Sequence, residues 1–285
     1  MKNLISFDKI ALNDLGCKAE KIIPQQAIFF EGHYPGNPIF PGVLQIELAL
    51  NAARLLLPEA GHGSFNLHRI NKFRFLKRVL PGDKLSIIAK IKEEFAGELL
   101  INVDLLIDDQ KVAAGLLSWG VGWQDASETG SGGIYLQSNH SLDYGTEIIS
   151  TLPHRFPFLH VDEVLEIEEN KRLVSAKNIT ASDYVFWGRT YGSAFPQTIM
   201  IEALAQSAAI LGMQGIKPGG VPLFGGLSEV CFTGEAYPGD KLIMEAVIVK
   251  SMSSGGIVAG KIVVNNRQIC CIENLIYMVA ENDKT

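Results

Sequence analysis

The sequence predicts an α+β protein built from two copies of one unit, each an antiparallel sheet wrapped around a single long helix. Three observations carry this. The pentapeptide PGDKL occurs at Pro81 and again at Pro238, and Phe75 precedes the first as Phe232 precedes the second, at one offset of 157. Upstream, FPGVLQIELALNAARLLL (40–57) answers FPQTIMIEALAQSAAILG (195–212), which sets Glu47 opposite Glu202. Each copy also holds one apolar run of helical length, while its remainder is short, β-branched and alternating. A helix that is apolar almost all round has to be central, and a sheet wrapped around it buries it.

In chain order, the first helix is expected over about 42–57, entered through Pro41 and stopped by Pro58. NKFRFLKR (71–78), KLSIIAKIKEEF (84–95), LLINVDLLID (99–108) and KVAAGLLSWGVGW (111–123) read as strands. Residues 124–140 are rich in Ser, Gly and Asn without apolar periodicity and read as a linker between a unit at 1–123 and one at 141–285. The second helix, about 197–213, follows Pro196 and stops in the glycines from Gly212 to Gly220; GIVAGKIVVNNRQICCIENLIYMV (256–279) supplies further strands. The two helices are expected side by side at the centre of an internal pseudo-dimer.

Composition narrows the function classes. The chain has 285 residues, 47 % hydrophobic and 20 % charged, with a net charge of −6 and no long basic stripe, which argues against nucleic acid as a partner. Asp8, Lys9 and Asp14 interrupt what would be the core of a signal peptide, and no run of about eighteen apolar residues occurs, so a cytoplasmic protein off the membrane is expected. Cys17, Cys231, Cys270 and Cys271 have neither metal spacing nor the density of a disulfide scaffold, and His62, His68, His140 and His160 form no ligand pattern. No metal and no cofactor is expected.

An ionised carboxylate on an apolar helix costs several kcal/mol, roughly, unless it is paired, and the usual response is a raised pKa. Glu47 and Glu202 therefore call for an explanation. Just ahead of the first lies the loop GHYPGNPIFPGVLQIE (32–47), and the second half carries LPHRFPFLHVDEVLEI (152–167), KNITASDYVF (177–186) and IEALAQSAAILG (201–212). In these motifs the chain resembles two fused copies of the β-hydroxyacyl-(acyl-carrier-protein) dehydratases of fatty-acid synthesis, which have the hot-dog fold. The resemblance covers most of 141–285 and, more loosely, most of 1–123, and KNITASDYVF matches the family's next strand. It implies sites between two units, with a histidine from one, an acid from the partner's helix, and a glycine at the helix start that holds the thioester carbonyl.

The chemistry of removing water from a 3-hydroxyacyl thioester asks for the same parts. Histidine, here His33, suits the base that takes the C2 proton. A carboxyl kept protonated by burial suits the acid for the departing hydroxyl. Free N–H groups at a helix start, here at Gly42 and Val43, face the charge developing on the thioester oxygen. The halves have not kept the loop equally: WGRTYGSAFPQTIMIE (187–202) is a residue shorter, has Arg189 near the histidine's place, and has Gln197 for the glycine. One site is therefore expected, His33 with Glu202, supported by Gln206 one turn further along; Glu47, Arg189 and Gln197 form a degenerate second site in which Glu47 is mostly a desolvation cost. This arrangement resembles the double hot-dog dehydratase domains of polyketide synthases. His154 and Arg155 read as structural.

Within 71–78, Lys72 and Arg74 share one strand face, Phe73 and Phe75 face inward, and Lys77 and Arg78 extend the charge, a docking patch for an acidic acyl carrier protein. The expected partner is a carrier-protein or coenzyme A thioester, in fatty-acid or polyketide and polyene synthesis, and the double unit is left free to self-associate. Two other readings stand beside the dehydratase: a hot-dog thioesterase, against which the His33 loop counts, and a non-catalytic acyl-binding subunit.

Overall fold

The computed structural model describes residues 6–13, 15–58, 65–123, 133–135, 147–190, 192–213, 220–252 and 254–281. The expected linker lies outside them except for 133–135, as do His62 and His140. The first unit contains β1 (Lys9–Asn13), β2 (Gly16–Ile22), a short helix α1 (Ile28–Gly32), the central helix α2 (Gly42–Arg54), β3 (Phe65–Phe75), β4 (Lys84–Phe95), β5 (Glu98–Ile107) and β6 (Gln110–Val121). The second contains α3 (Glu147–Thr151), β7 (Glu163–Glu168), β8 (Arg172–Asn178), a 3-10 turn at Tyr184–Phe186, the central helix α4 (Gln197–Gly212), β9 (Gly220–Phe232), β10 (Lys241–Met252), β11 (Gly255–Val264) and β12 (Arg267–Glu281).

The described strands form one 12-stranded sheet, in the order β1-β2-β4-β5-β6-β3-β9-β12-β11-β10-β8-β7. The order reads alike outward from the β3–β9 seam, as a duplicated unit requires. Helix α2 lies against β2, β4, β5 and β6, α4 lies against β8, β10 and β11, and the two helices touch. Alternation drives this packing: Leu85, Ile87 and Ala89 of β4, Leu99, Ile101, Val103 and Leu105 of β5, and Leu242, Met244 and Ala246 of β10 are all buried on the helix side.

The repeated pentapeptide fastens each helix start to its sheet. In the first copy the Asp83 carboxylate accepts from Leu80 N at 2.7 Å, Ile23 N donates to Asp83 O, and Phe40 N donates to Val79 O. In the second the Asp240 carboxylate accepts from Tyr237 N at 2.8 Å, Ile179 N donates to Asp240 O, and Phe195 N donates to Ala236 O. The residue before each helix's proline is thereby tied down. Hairpins close at Asp108–Asp109 and Asn265–Asn266, four residues at positive φ between 48° and 63°, which short polar side chains tolerate best.

Two boundaries differ from expectation. Helix α2 ends at Arg54, and Leu56 N and Leu57 N turn to Ala53 O and Arg54 O in tighter i−3 bonds, because the residue before Pro58 is pushed out of the helical region. The segment 177–186 is strand only through Asn178, since the Asp183 carboxylate accepts from Thr180 N at 2.8 Å and draws the chain into a turn.

At the seam, Arg69, Ile70, Lys72, Phe73 and Arg74 of β3 pair with Cys231, Val230, Ser228, Leu227 and Gly226 of β9. Gly226 sits at φ +155°, and a Cβ there would stand 2.6 Å from the Phe73 carbonyl oxygen. Gly226→Val should therefore lower stability by about 3 kcal/mol or more in urea unfolding, while Gly225→Ala, whose Cβ would meet only ordinary contacts, should cost less than about 1 kcal/mol.

Candidate active site

The cavity that brings sequence-expected residues together has a volume of about 300 Å³ and lies between the two units. His33, Tyr34, Gly42 and Gln45 come from the first unit; His154, Glu202 and Gln206 come from the second.

His33 ends α1, its N–H donating to Phe29 O at 2.8 Å. The preceding Gly32 has no room for a side chain, since a Cβ would meet Arg155 O at 2.5 Å and Phe158 N at 2.7 Å, and Arg155 N donates to Gly32 O at 2.8 Å. The loop is thus held by backbone from the other unit. The His33 imidazole is buried, and Nδ1 lies 2.9 Å from Ile39 O, so Nδ1 carries the proton and Nε2 keeps a lone pair. Burial holds its pKa down at about 4, against a smaller opposite effect of the Ile39 carbonyl.

Glu202 is buried on α4, and burial pushes its carboxyl up to about 7, partly offset by the bond from Gln206. Gln206 acts as a clamp: Nε2 donates to Glu202 Oε1 at 2.9 Å and to Phe158 O at 2.8 Å, and Oε1 accepts from His160 N at 2.8 Å. Near neutrality the site holds a neutral imidazole and a carboxyl whose raised pKa lets it keep a proton to give, a pair suited to taking one proton and giving another. The first intrahelical bonds of α2 come from Leu44 N and Gln45 N to Pro41 O, which leaves the N–H groups of Gly42 and Val43 at the free end of the helix. Gly42 lines the cavity with the Phe75 ring where its Cβ would be, whereas the Val43 side chain is buried in the core and only its N–H could serve.

Beyond the residues expected from sequence, His154 and Gln45 also line the cavity. His154, read from sequence as structural, has Nε2 3.5 Å from Glu202 Oε1, and its ring is 5.5 Å from that of His33. Gln45 donates from Nε2 to Phe40 O at 3.3 Å, and its Oε1 is buried without a partner. The signals were faint: one histidine in a Pro-rich segment, and one amide in an apolar helix. Among the described residues, Arg155 donates to the backbone carbonyls of Ile149, Leu152 and His154.

Glu47 faces away from this cavity. Its Oε2 accepts from Thr198 Oγ1 at 2.9 Å, and Oε1 lies 3.7 Å from Arg54 and 4.0 Å from Arg189. The expectation that Glu47 is mainly a desolvation cost is therefore corrected, because two guanidinium groups compensate it. Asn51, in Gln206's place, engages Arg54 at 2.7 Å, and Gln197 at the start of α4 has a buried Nε2 without a partner. Lys72, Arg74, Lys77 and Arg78 are all exposed; Lys77 and Arg78 line the cavity's rim, and Lys72 and Arg74 stand on the seam strand outside it. Among the described residues no three His, Cys, Asp or Glu side chains converge as a metal site, and no helix is long and apolar enough to cross a membrane.

An ApeI dehydratase family model matches residues 11–115 and a FabA-like domain model matches 152–273. The 3-hydroxyacyl-[acyl-carrier-protein] dehydratase FabZ of Enterococcus faecalis is 39% identical over 137 residues, 47% of this chain and 96% of that protein. FabZ of Aromatoleum aromaticum is 43% identical over 110 residues, 37% of this chain and 76% of that one. Among solved structures, the dehydratase domain from the CurF module of curacin polyketide synthase has a TM-score of 0.68 at 9% identity, covering 98% of both chains. The dehydratase domain of RzxB from Pseudomonas fluorescens has a TM-score of 0.67 at 10% identity, covering 95% of this chain and 98% of its own; at such identities the likeness is one of fold.

Glu47→Gln removes the charge that the two arginines share. It should lower stability by about 1–2 kcal/mol, discounted because both arginines reach solvent, and a urea titration measures it.

Proposed function

This chain belongs to the 3-hydroxyacyl-[acyl-carrier-protein] dehydratase family and dehydrates 3-hydroxyacyl thioesters, and from that premise we propose that it does so at one site, made by His33 of the first unit and Glu202 of the second. The observation that carries this is the meeting of a neutral, Nδ1-protonated histidine and a carboxyl with a raised pKa in one cavity. Nε2 of His33 takes the C2 proton, the C2–H electrons form the C2=C3 bond, and the C3–O bond breaks as Glu202 delivers its proton, so that water leaves. The Gly42 and Val43 N–H groups stabilise charge on the thioester oxygen. The proton then returns from His33 to Glu202 and resets the site. Past Glu202, the cavity wall of Ala205, Ala209, Phe224 and Leu275 is apolar, as an acyl chain needs. Among the described residues the groups that meet Glu47 are Thr198, Arg189 and Arg54, none of them a histidine.

His33→Ala and Glu202→Gln should each lower the dehydration rate by about 10²- to 10⁴-fold, and Glu47→Gln should leave it close to the parent value. The pH profile has a definite sign. Activity needs His33 neutral and Glu202 protonated, so kcat/KM should rise through about 4 and fall through about 7. A thioesterase would instead release free thiol. Mass spectrometry of 3-hydroxyacyl carrier conjugates, with and without the enzyme, measures water loss and thiol release together.

Lys77 and Arg78 at the cavity's rim, with Lys72 and Arg74 beside it, form the docking surface for an acidic carrier protein. Arg78→Glu should raise KM for carrier-bound substrate several-fold, an effect that fades at high salt, while kcat changes little.

A further inference from the structure

Among the groups in the cavity that the mechanism leaves idle, His154 stands beside the acid. Its Nε2 is 3.5 Å from Glu202 Oε1, the oxygen that already accepts from Gln206 at 2.9 Å. The residue is buried, and its Nδ1 has no partner. A neutral imidazole has one N–H, and the nitrogen that meets an acceptor is Nε2. At 3.5 Å this contact is longer than a hydrogen bond, and catalytic contacts of this kind commonly tighten into one only when substrate is bound.

We infer that His154 is a positioning residue for Glu202: its Nε2–H and the amide of Gln206 together occupy Oε1, so that the acid's proton is kept on Oε2, toward the substrate hydroxyl. This rests on the reading of Glu202 as the acid. A carboxyl with two free oxygens would hold its proton on either, and only one placement is productive. Two donors on one oxygen remove that choice. The groups facing His154 suit a neutral ring. From the first unit come His33 and the Tyr34 hydroxyphenyl; from α4 come Glu202 and Gln206; from its own segment come Arg155 and His160. Burial, then His33, His160 and Arg155, push the imidazole well below its ordinary pKa, so it donates without carrying charge.

The test is kinetic and spectroscopic on the full chain. His154→Phe removes the donor and keeps a ring. It should lower kcat about 10²-fold with KM little changed. It should also move the alkaline limb of the pH profile upward, because a carboxylate that loses a donor becomes a weaker acid. His154→Gln, which can offer an N–H, should restore most of kcat and return the limb. Imidazole ¹⁵N shifts of the parent protein should show His154 neutral with the proton on Nε2, a readout that does not depend on any variant folding. An unmoved alkaline limb in a folded His154→Phe, or an Nδ1–H tautomer, overturns the inference while leaving Glu202 as the acid. An active Glu202→Gln overturns both.

Discussion

Hydrogen bonding along β3 and β9 turns two half-sheets, each with an open edge, into one continuous surface, and the rest of the structure depends on that pairing. Without it the buried faces of α2 and α4 would lack a common floor, and the backbone of residues 154–158 would not reach Gly32. The seam also fixes which side chains meet. His33 lies opposite Glu202, and Glu47 lies opposite Arg189, because each helix's acid faces the loop of the other unit.

Given that geometry, the two halves solve one electrostatic problem in opposite ways. A carboxyl on a central helix has to keep its proton or find positive charge. At Glu202 the neighbours are neutral donors, and burial raises the pKa to about 7. The cost appears in stability. The native pKa lies above that of an unfolded glutamate, so the native chain holds the extra proton, and the stability this gives is complete below about 4.5 and is lost as pH rises through about 7. At Glu47 the neighbours are Arg54, Arg189 and Thr198, and the group is held as a pair. One solution yields an acid able to donate at working pH; the other yields a structural tie between the units.

The duplication, the central helices and the residues of the His33 loop were legible because each leaves a local signature: a repeated pentapeptide, a proline before an apolar run, a loop of fixed residue types. What sequence could not show is what tertiary contact decides. Arg189 stands in the sequence as a departure from histidine, but its reach to Glu47 depends on the seam. Nothing within LPHRFP distinguishes a ring aimed at a carboxyl from one that fills space, and the partner of His154 lies 48 residues away on another element. Helix α2 stopped before the expected residue for a local reason, the tightening of the chain ahead of Pro58.

The PGDKL turns have a consequence for how such a chain can change. Each ties the start of its helix to its own sheet through bonds that do not involve the other unit. In a homodimer every substitution is inherited by both sites at once, so losing a histidine would silence the whole assembly. A fused chain uncouples the two inheritances. The second loop could drift, lose a residue and acquire Arg189 while its helix stayed anchored and kept presenting Glu202 across the seam. Asymmetry of this kind is open only to a molecule whose two halves are written separately.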